Sequence, residues 1–304
     1  METTAKKNFI SKLKNIETDD YPTFDKYLKN SDLWEHFFLY LLCLEPKIKW
    51  AELNQTLCLF QKDPFDQTWQ LQSFPLGEKQ SVIKTLKDLI SQHLITKIIY
   101  AERKDLELLK KAHLKPKKSV IITEEFIYRI KDLIKLQGNT YQEIRHHINH
   151  FKKNYQFQLD VYKKEDLKQI TELLETWHKE KMKNIKKEEV ALFSLKIDFE
   201  NSKRALEYLE KLSNFKSLVL KSNGRVIGLS VFGWLNKKMV VHYLIKALHK
   251  EYKGITEFLM HETAKNSSEA IFLNFGGYGK SESLKIQKTR LNPCKINPIY
   301  KVYF

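Results

Sequence analysis

Residues 217–245 read SLVLKSNGRVIGLSVFGWLNKKMVVHYLI, and this stretch decides the fold. Ser217–Leu220, Val226–Trp234 and Met239–Ile245 are apolar runs of strand length, rich in β-branched and aromatic residues. Between them, Ser222-Asn223-Gly224-Arg225 and Leu235-Asn236-Lys237-Lys238 supply residue types that tolerate the left-handed backbone of tight turns. The stretch is therefore an antiparallel three-stranded meander.

Downstream, Ile255–Ala264 has helical spacing, Ala270–Asn274 is a strand, Glu282–Lys288 a helix and Tyr300–Phe304 a last strand. Upstream, Tyr141, Ile144, Ile148 and Phe151 fall on one helical face, Phe157–Tyr162 alternates as a strand, and Leu167, Ile170, Leu173, Leu174 and Trp177 mark another helix. A helix at Leu206–Leu212 then leads into the meander.

The first half carries a shorter version of the same alternation. Asp32–Leu44 is a helix. Trp50–Phe60 and Thr68–Phe74 form a β-hairpin about the turn at Lys62–Asp66. After Pro75-Leu76-Gly77 come a helix carrying Val82, Leu86, Leu89 and Ile90, a strand at Ile95–Tyr100 and a helix at Asp105–Ala112. Val120-Ile121-Ile122 precedes an amphipathic helix with Phe126, Ile127, Ile130, Leu133 and Ile134 that stops at Gly138. The chain thus divides into two α/β (α+β) domains, 1–137 and 138–304, each built on a mixed sheet.

Composition narrows the classes of function. The chain has 304 residues, 42% of them hydrophobic, enough for two cores. A formal net charge of +16 favours polyanionic partners, RNA or an anionic lipid surface, although a uniformly lysine-rich composition gives the same total. Cys43, Cys58 and Cys294 contain no CxxC pair, which fits a reduced, cytoplasmic protein. Met1–Lys14 lacks the apolar core of a leader, and Leu33–Leu44 is far short of the ~20 residues needed to cross a bilayer. His146 and His150 have the i, i+4 spacing of a metal pair but no HExxH pattern or cysteine beside them, so no metal is expected.

The order of meander, crossover helix, strand, helix and final strand resembles a GCN5-related N-acetyltransferase (GNAT) module. The turn Ser222–Gly228 is similar to the hairpin before that module's central strands. A more specific resemblance is to the phosphatidylglycerol lysyltransferase C-terminal-domain family, which pairs two GNAT-like halves as the Fem-type aminoacyl transferases do. It is carried by Phe74-Pro75-Leu76-Gly77, and by Tyr128–Leu136 with Gly138, Tyr141 and Arg145-His146-His147-Ile148-Asn149-His150-Phe151. It continues through His242–Ala247 with Tyr252-Lys253-Gly254, and Phe272–Gly279 with Leu284, Lys285, Lys288 and Pro293. Ile144 and His146 stand where the family usually has Lys and Asn, and an acidic residue common in the last turn is missing.

The resemblance implies a transferase that takes an aminoacyl group from aminoacyl-tRNA and passes it to an amine or hydroxyl, either of a soluble acceptor or of anionic lipid head groups reached from the membrane surface. Two alternatives stay open: an acyl-CoA-dependent N-acyltransferase, and a non-catalytic relative that binds RNA or a partner. In acetyl-CoA enzymes a glycine loop at the crossover helix cradles the pyrophosphate. Here Glu251-Tyr252-Lys253-Gly254-Ile255-Thr256 keeps the glycine but adds a negative charge and a bulky residue. As candidate catalytic groups stand Tyr243, a proton carrier, and Asn274, a side-chain amide at the pocket rim. His242 and Tyr243 alternate along their strand, so one of the two faces the pocket. Arg145, His147 and Asn149 share a polar helical arc, with Arg145 expected on phosphate. Lys246, Lys253 and Gly254 are expected at the donor, and Gly276, Gly277, Gly279, Lys285 and Lys288 at the rim. The solvated-face explanation of these polar residues stands beside the functional one.

Overall fold

The computed structural model of the chain describes residues 8–184, 189–212, 214–279 and 281–304. Residues 1–7, half of the stretch read above for a leader, lie outside it. Two compact units emerge: Met1–Glu125 with Gly277–Lys280 and Ile296–Phe304, and Phe126–Gly276 with Ser281–Lys295. The division falls after Glu125 rather than at Gly138, and the end of the chain groups with the first unit.

In the first unit, α1 (Tyr21–Leu28) and α2 (Phe38–Cys43) accompany β1 (Lys14–Asn15), β2 (Lys49–Leu53), β3 (Thr56–Lys62), β4 (Trp69–Ser73) and β5 (Lys97–Ala101). The sheet order is β1-β2-β3-β4-β5-β12, with β12 at Lys295–Tyr303. All pairs are antiparallel except β4–β5, which is parallel. Parallel neighbours need a long crossover, and α3 (Lys79–Ser91) supplies it. The helix α4 (Arg103–Lys111) follows β5.

The second unit repeats this plan. Its strands are the end of β6 (Lys118–Arg129), β7 (Gln158–Val161), β8 (Phe215–Ser222), β9 (Arg225–Trp234), β10 (Met239–Ala247) and β11 (Phe272–Asn274), in the order β6-β11-β10-β9-β8-β7. Again one pair is parallel, β10–β11, and again a helix crosses over, here α9 (Ile255–Asn266). Before the meander come α5 (Ile130–Lys135), α6 (Gln142–Asn154), α7 (Leu167–Asn184) and α8 (Glu189–Tyr208), and α10 (Glu282–Arg290) follows β11. The two units exchange last strands. After α4 the chain enters β6, which pairs antiparallel with β11, and after α10 it enters β12, which pairs antiparallel with β5. The fold is a tandem of GNAT-like units on mixed sheets.

Four sequence expectations are corrected. Trp50–Phe60 is two strands, because Asn54 and Gln55 both take positive φ (48° and 61°) and turn the chain. Phe126, Ile127 and Tyr128 are strand, not helix: all three are buried, so the run is continuously apolar as in a strand covered on both faces. Of the helix expected at Leu206–Leu212 only Leu206–Tyr208 is helical, as the end of the longer α8, and a turn follows. The helix expected over Asp32–Leu44 is broken at Phe37 into a 3-10 turn (Trp34–His36) and α2.

Candidate active site

The parallel pair β10–β11 lasts three residues, from Met239↔Phe272 to Val241↔Asn274. Beyond that point β11 has ended while β10 runs on to Ala247, and a cavity of about 670 Å³ opens beside it in the second unit. A bulge falls between His242 and Leu244, leaving Tyr243 without an opposite residue on β9. With β11 ended, this edge of β10 is open, and His242, Tyr243, Leu244, Ile245 and Lys246 all border the cavity. Both His242 and Tyr243, of which one was expected at the pocket, border the cavity.

The start of α9 forms a second wall. Gly254 caps this helix at φ 87°, and a Cβ there would lie 2.1 Å from the carbonyl oxygen of His147. Only a glycine lets the α6 backbone cross the helix start so closely. That crossing brings the His147 imidazole to the first turn of α9, where Nδ1 lies 3.1 Å from Glu257 Oε1. A carboxylate on one ring nitrogen orients the imidazole and leaves Nε2 for another partner.

Two amines are buried at the same cavity. Lys246 is 4% exposed; its Nζ donates to Asp198 Oδ2 at 2.6 Å and sits 3.7 Å from the centre of the Trp177 ring. Burial lowers its pKa, the carboxylate of Asp198 pulls it back up, and the Lys181 ammonium lowers it further. Lys288, 8% exposed, donates to the carbonyls of Phe275 (2.6 Å) and Gly276 (3.1 Å). His242 is buried against Ser230 Oγ (3.0 Å), itself 2.7 Å from Thr263 Oγ1. Burial, with the charge of Lys288 added, pushes the imidazole down to about 3, so it is a neutral ring.

The sequence-derived candidates divide accordingly. His147, Tyr243, Lys246, Lys253, Gly254 and Lys288 come together at the cavity. Arg145, Asn149, Asn274, Gly276, Gly277, Gly279 and Lys285 are not among the described residues that line it. Arg145 Nη1 donates to the carbonyls of Leu136 and Gly138, closing the end of α5 rather than standing open to a phosphate. Asn149 is exposed on α6. Asn274 is fully buried, and its Oδ1 accepts the Gly276 N–H at 2.8 Å, a local turn that consumes the amide oxygen. Gly277 and Gly279 group with the first unit, where a Cβ on Gly277 would meet Thr123 Oγ1 at 2.3 Å. Lys285 lies on α10 outside the lining.

Trp177, Lys181, Asp198 and Glu257 also line the cavity and were not read from the sequence as site residues. Trp177 has core spacing, and Asp198 belongs to a helix whose extent the sequence reading cut short. Beside the site, the loop before α9 is tied down. Glu251 Oε2 pairs with Arg225 Nη1 at 3.1 Å, and Tyr155 Oη accepts the Lys253 N–H at 3.3 Å and donates to the Glu251 carbonyl at 3.3 Å. No helix among the described residues is long and apolar enough to cross a membrane.

Comparison with known proteins places this geometry. A conserved protein of unknown function from Bacteroides thetaiotaomicron has the same fold at TM-score 0.80 and 17% identity, covering 96% of this chain and 99% of that one. L-PGS from Bacillus licheniformis gives TM-score 0.68 at 17% identity over 95% of this chain and 92% of its own. FemX gives 0.63 at 11% identity over 96% and 97%. A comparison with curated sequences finds no match. At these identities the structural likenesses speak for the fold. The profile described as "Phosphatidylglycerol lysyltransferase, C-terminal" matches residues 33–287, most of the chain, and the chain therefore belongs to that family.

Proposed function

We propose that the chain is an aminoacyltransferase that takes the aminoacyl group of aminoacyl-tRNA into the cavity beside β10 and passes it to an amine or hydroxyl acceptor. The observation that carries the reading is the convergence of His147–Glu257, the β10 bulge and the buried Lys246 and Lys288 at one cavity. Family membership and the fold shared with L-PGS and FemX support it. In this reading His147 Nε2 removes the acceptor proton while Glu257 holds the ring. The acceptor nitrogen or oxygen then bonds to the ester carbonyl carbon. The bond to the ribose oxygen breaks, and Tyr243 delivers a proton to that oxygen. Lys288 and the helix start at Gly254 place positive charge near the developing oxyanion.

The loop chemistry favours an ester donor over acyl-CoA. Backbone N–H groups before a crossover helix bind a diphosphate when they are open. Here Tyr155 takes the Lys253 N–H, and the carboxylate of Glu251 stands in the same loop. Substitution His147→Gln should lower turnover ~100-fold or more while leaving tRNA binding in place. The test is incubation of the full chain with tRNA bearing radiolabelled amino acids and a cell extract as acceptor source. Label appearing on a product other than tRNA, and lost in His147→Gln, supports the reading. Label that stays on tRNA, or thiol release from acyl-CoA without aminoacyl transfer, overturns it. Binding of tRNA should weaken steeply between ~50 and ~200 mM salt.

A further inference from the structure

The turn between β3 and β4 in the first unit holds a phenylalanine out in water. Phe65 is 95% exposed, the most exposed of the large apolar side chains among the described residues. A single apolar side chain on a surface calls for no explanation by itself, but the turn beneath this one is built in a particular way. Every backbone N–H from Asp63 to Thr68 is bonded inside it. The Phe65 and Asp66 N–H groups donate to Asp63 Oδ1 at 2.8 and 3.3 Å, and the Thr68 N–H donates to Asp66 Oδ1 at 2.9 Å. The Gln67 N–H donates to the Asp63 carbonyl (3.0 Å) and the Asp63 N–H to the Thr68 carbonyl (2.9 Å), while Pro64 has no N–H. Asp63 is buried against the Lys97 ammonium, which also lies 3.6 Å from Asp66 Oδ2. Pro64 and Phe65 therefore sit on a braced support with no backbone donor left for water. Unbonded donors are what make a loop costly to move into a medium of low polarity.

The same end of the sheet carries exposed lysines. Lys62 opens the turn, and Lys47 follows Pro46, whose carbonyl accepts Gln61 Nε2 at 3.0 Å. On the other side Thr68 Oγ1 lies 3.4 Å from Thr96 Oγ1, and the Thr96 carbonyl accepts the Phe304 N–H at 2.9 Å. The Phe304 carbonyl in turn accepts Lys117 Nζ at 2.9 Å. With Lys97, and with Lys115 and Lys118 beside Lys117 in the chain, six lysines stand against three carboxylates, Glu45, Asp63 and Asp66. The apolar tip is thus backed by an excess of positive charge.

At 95% exposure both faces of the Phe65 ring are bare. A protein partner would have to offer a pocket shaped to the tip, and a stacked nucleobase would use one face beside a groove for its backbone. A lipid interface deforms around a convex tip and presents phosphates to the lysines behind it. We infer that the β3–β4 turn is a membrane-docking tip, with Phe65 entering the headgroup boundary of an anionic bilayer and Lys47, Lys62 and Lys117 lying on its phosphates. Docking of this kind is independent of which donor or acceptor the second unit serves.

The experiment is co-sedimentation of the full chain with vesicles of phosphatidylcholine, alone or mixed with phosphatidylglycerol. The unaltered protein should partition at least ~10-fold better into the mixed vesicles. Phe65→Ser should weaken that partition ~10-fold or more, and Phe65→Trp should restore it. Both variants should unfold at the midpoint of the unaltered protein, because so exposed a ring holds nothing together. Lys62→Gln with Lys117→Gln should cost ~10-fold on the mixed vesicles alone, a difference that fades in ~1 M salt. Equal partition of Phe65→Ser and the unaltered protein, or no preference for phosphatidylglycerol, overturns the docking tip and leaves the transfer reading untouched. Loss of tRNA affinity in Phe65→Ser with vesicle binding intact also overturns it, and would make the tip a platform for a base.

Discussion

The two units place a cavity at the same point of the same plan and bury different charges around it. In the first unit a space of about 660 Å³ borders the chain from Phe74 through the start of α3, and the start of α4 with Glu102, Lys104 and Asp105. In the second unit the space of about 670 Å³ borders the end of β10, the start of α9 and the start of α10. Each also has a neutral buried imidazole at the lining. His36 lies between Ser31 Oγ and Ser73 Oγ, both at 2.6 Å, and His242 lies against Ser230. The difference is in the charges behind them. The first unit buries carboxylates: Glu35 is pushed well above the usual range by burial and by Glu125, whose Oε1 accepts the Trp34 N–H at 2.8 Å. The second buries the amines of Lys246 and Lys288. The shared plan provides a place, and the side chains around it decide its chemistry.

The largest effect should come from the glycines that open the two crossover helices. Gly254 combines φ 87° with a backbone oxygen 2.1 Å from where a Cβ would stand, and neither can be relieved by turning a side chain. Gly77 meets the methyl of Thr56 at 2.9 Å and the Gln55 carbonyl at 3.0 Å, a tighter-than-usual contact that a small shift relieves. Gly254→Ala should therefore cost about 4 kcal/mol or more, and Gly77→Ala about 1–2 kcal/mol, in thermal or denaturant unfolding. Equal losses would mean that α6 yields at His147 and that the crossing does not set the site.

That comparison also shows what the sequence disclosed and what it withheld. The meander was legible because alternation and the Asn223-Gly224 turn agree, and both residues do take positive φ (51° and 76°). Gly254 was legible as a helix start and was expected at the donor, and the structure places the His147 carbonyl against it. The turn at Asn54-Gln55 was hidden because no glycine marks it. The exchange of β6 and β12 leaves no local signal, since an apolar strand pairs equally well with either sheet. Lys246, Lys288, His147 and Tyr243, singled out from the family resemblance and the strand pattern, line one cavity. Arg145 and Asn274 stand outside that lining, and their polar groups close a helix end and a turn a few residues away, a use that a sequence does not distinguish from ligand binding.

Acid should separate the units next. A histidine held down to about 3 supports the fold fully above its unfolded value near 6.5 and loses that support as pH falls toward 3, at up to about 1.4 kcal/mol per pH unit. In the first unit this loss at His36 is opposed. Asp105 is raised by burial to about 7 and Glu35 is raised as well, so protonating them favours the folded state as pH falls from 7 to 4. In the second unit nothing comparable opposes His242 among the resolved shifts. Glu262 adds to the loss below its ordinary value: despite burial, the neighbouring His261 and the bond from Lys265 lower it to about 2. Hydrogen exchange between pH 7 and 4 should expose β8–β10 before β3–β5, and His242→Phe should flatten the slope of the second unit. The reverse order of exposure would show that the buried carboxylates do not compensate.

A smaller effect tests the reassigned turn. Asn274→Ala removes the acceptor for the Gly276 N–H in a fully buried position and should cost about 1–2 kcal/mol. If the loss is instead near zero, a local substitute for that bond exists, and the amide has some purpose other than closing the turn.

The smallest effect belongs to the pair Arg225–Glu251, and its contrast is Lys97–Asp63 in the first unit. Lys97 and Asp63 are both nearly buried, at 11% and 9% side-chain exposure, whereas Arg225 and Glu251 are at 52% and 44%. Water and salt screen the exposed pair, so Arg225→Ala should change stability by no more than about 0.5 kcal/mol, with the difference vanishing in ~1 M salt. The purpose of the pair then lies in placement: it keeps a carboxylate in the loop before α9, where an acetyl-CoA enzyme holds its diphosphate. Glu251→Ala should accordingly be as mild in unfolding as Arg225→Ala and should still give no measurable CoA binding, because Tyr155 keeps the Lys253 N–H. The double variant with Tyr155→Phe removes both obstacles, and CoA affinity appearing there but in neither single variant would show that the loop is closed to diphosphates by two independent side chains.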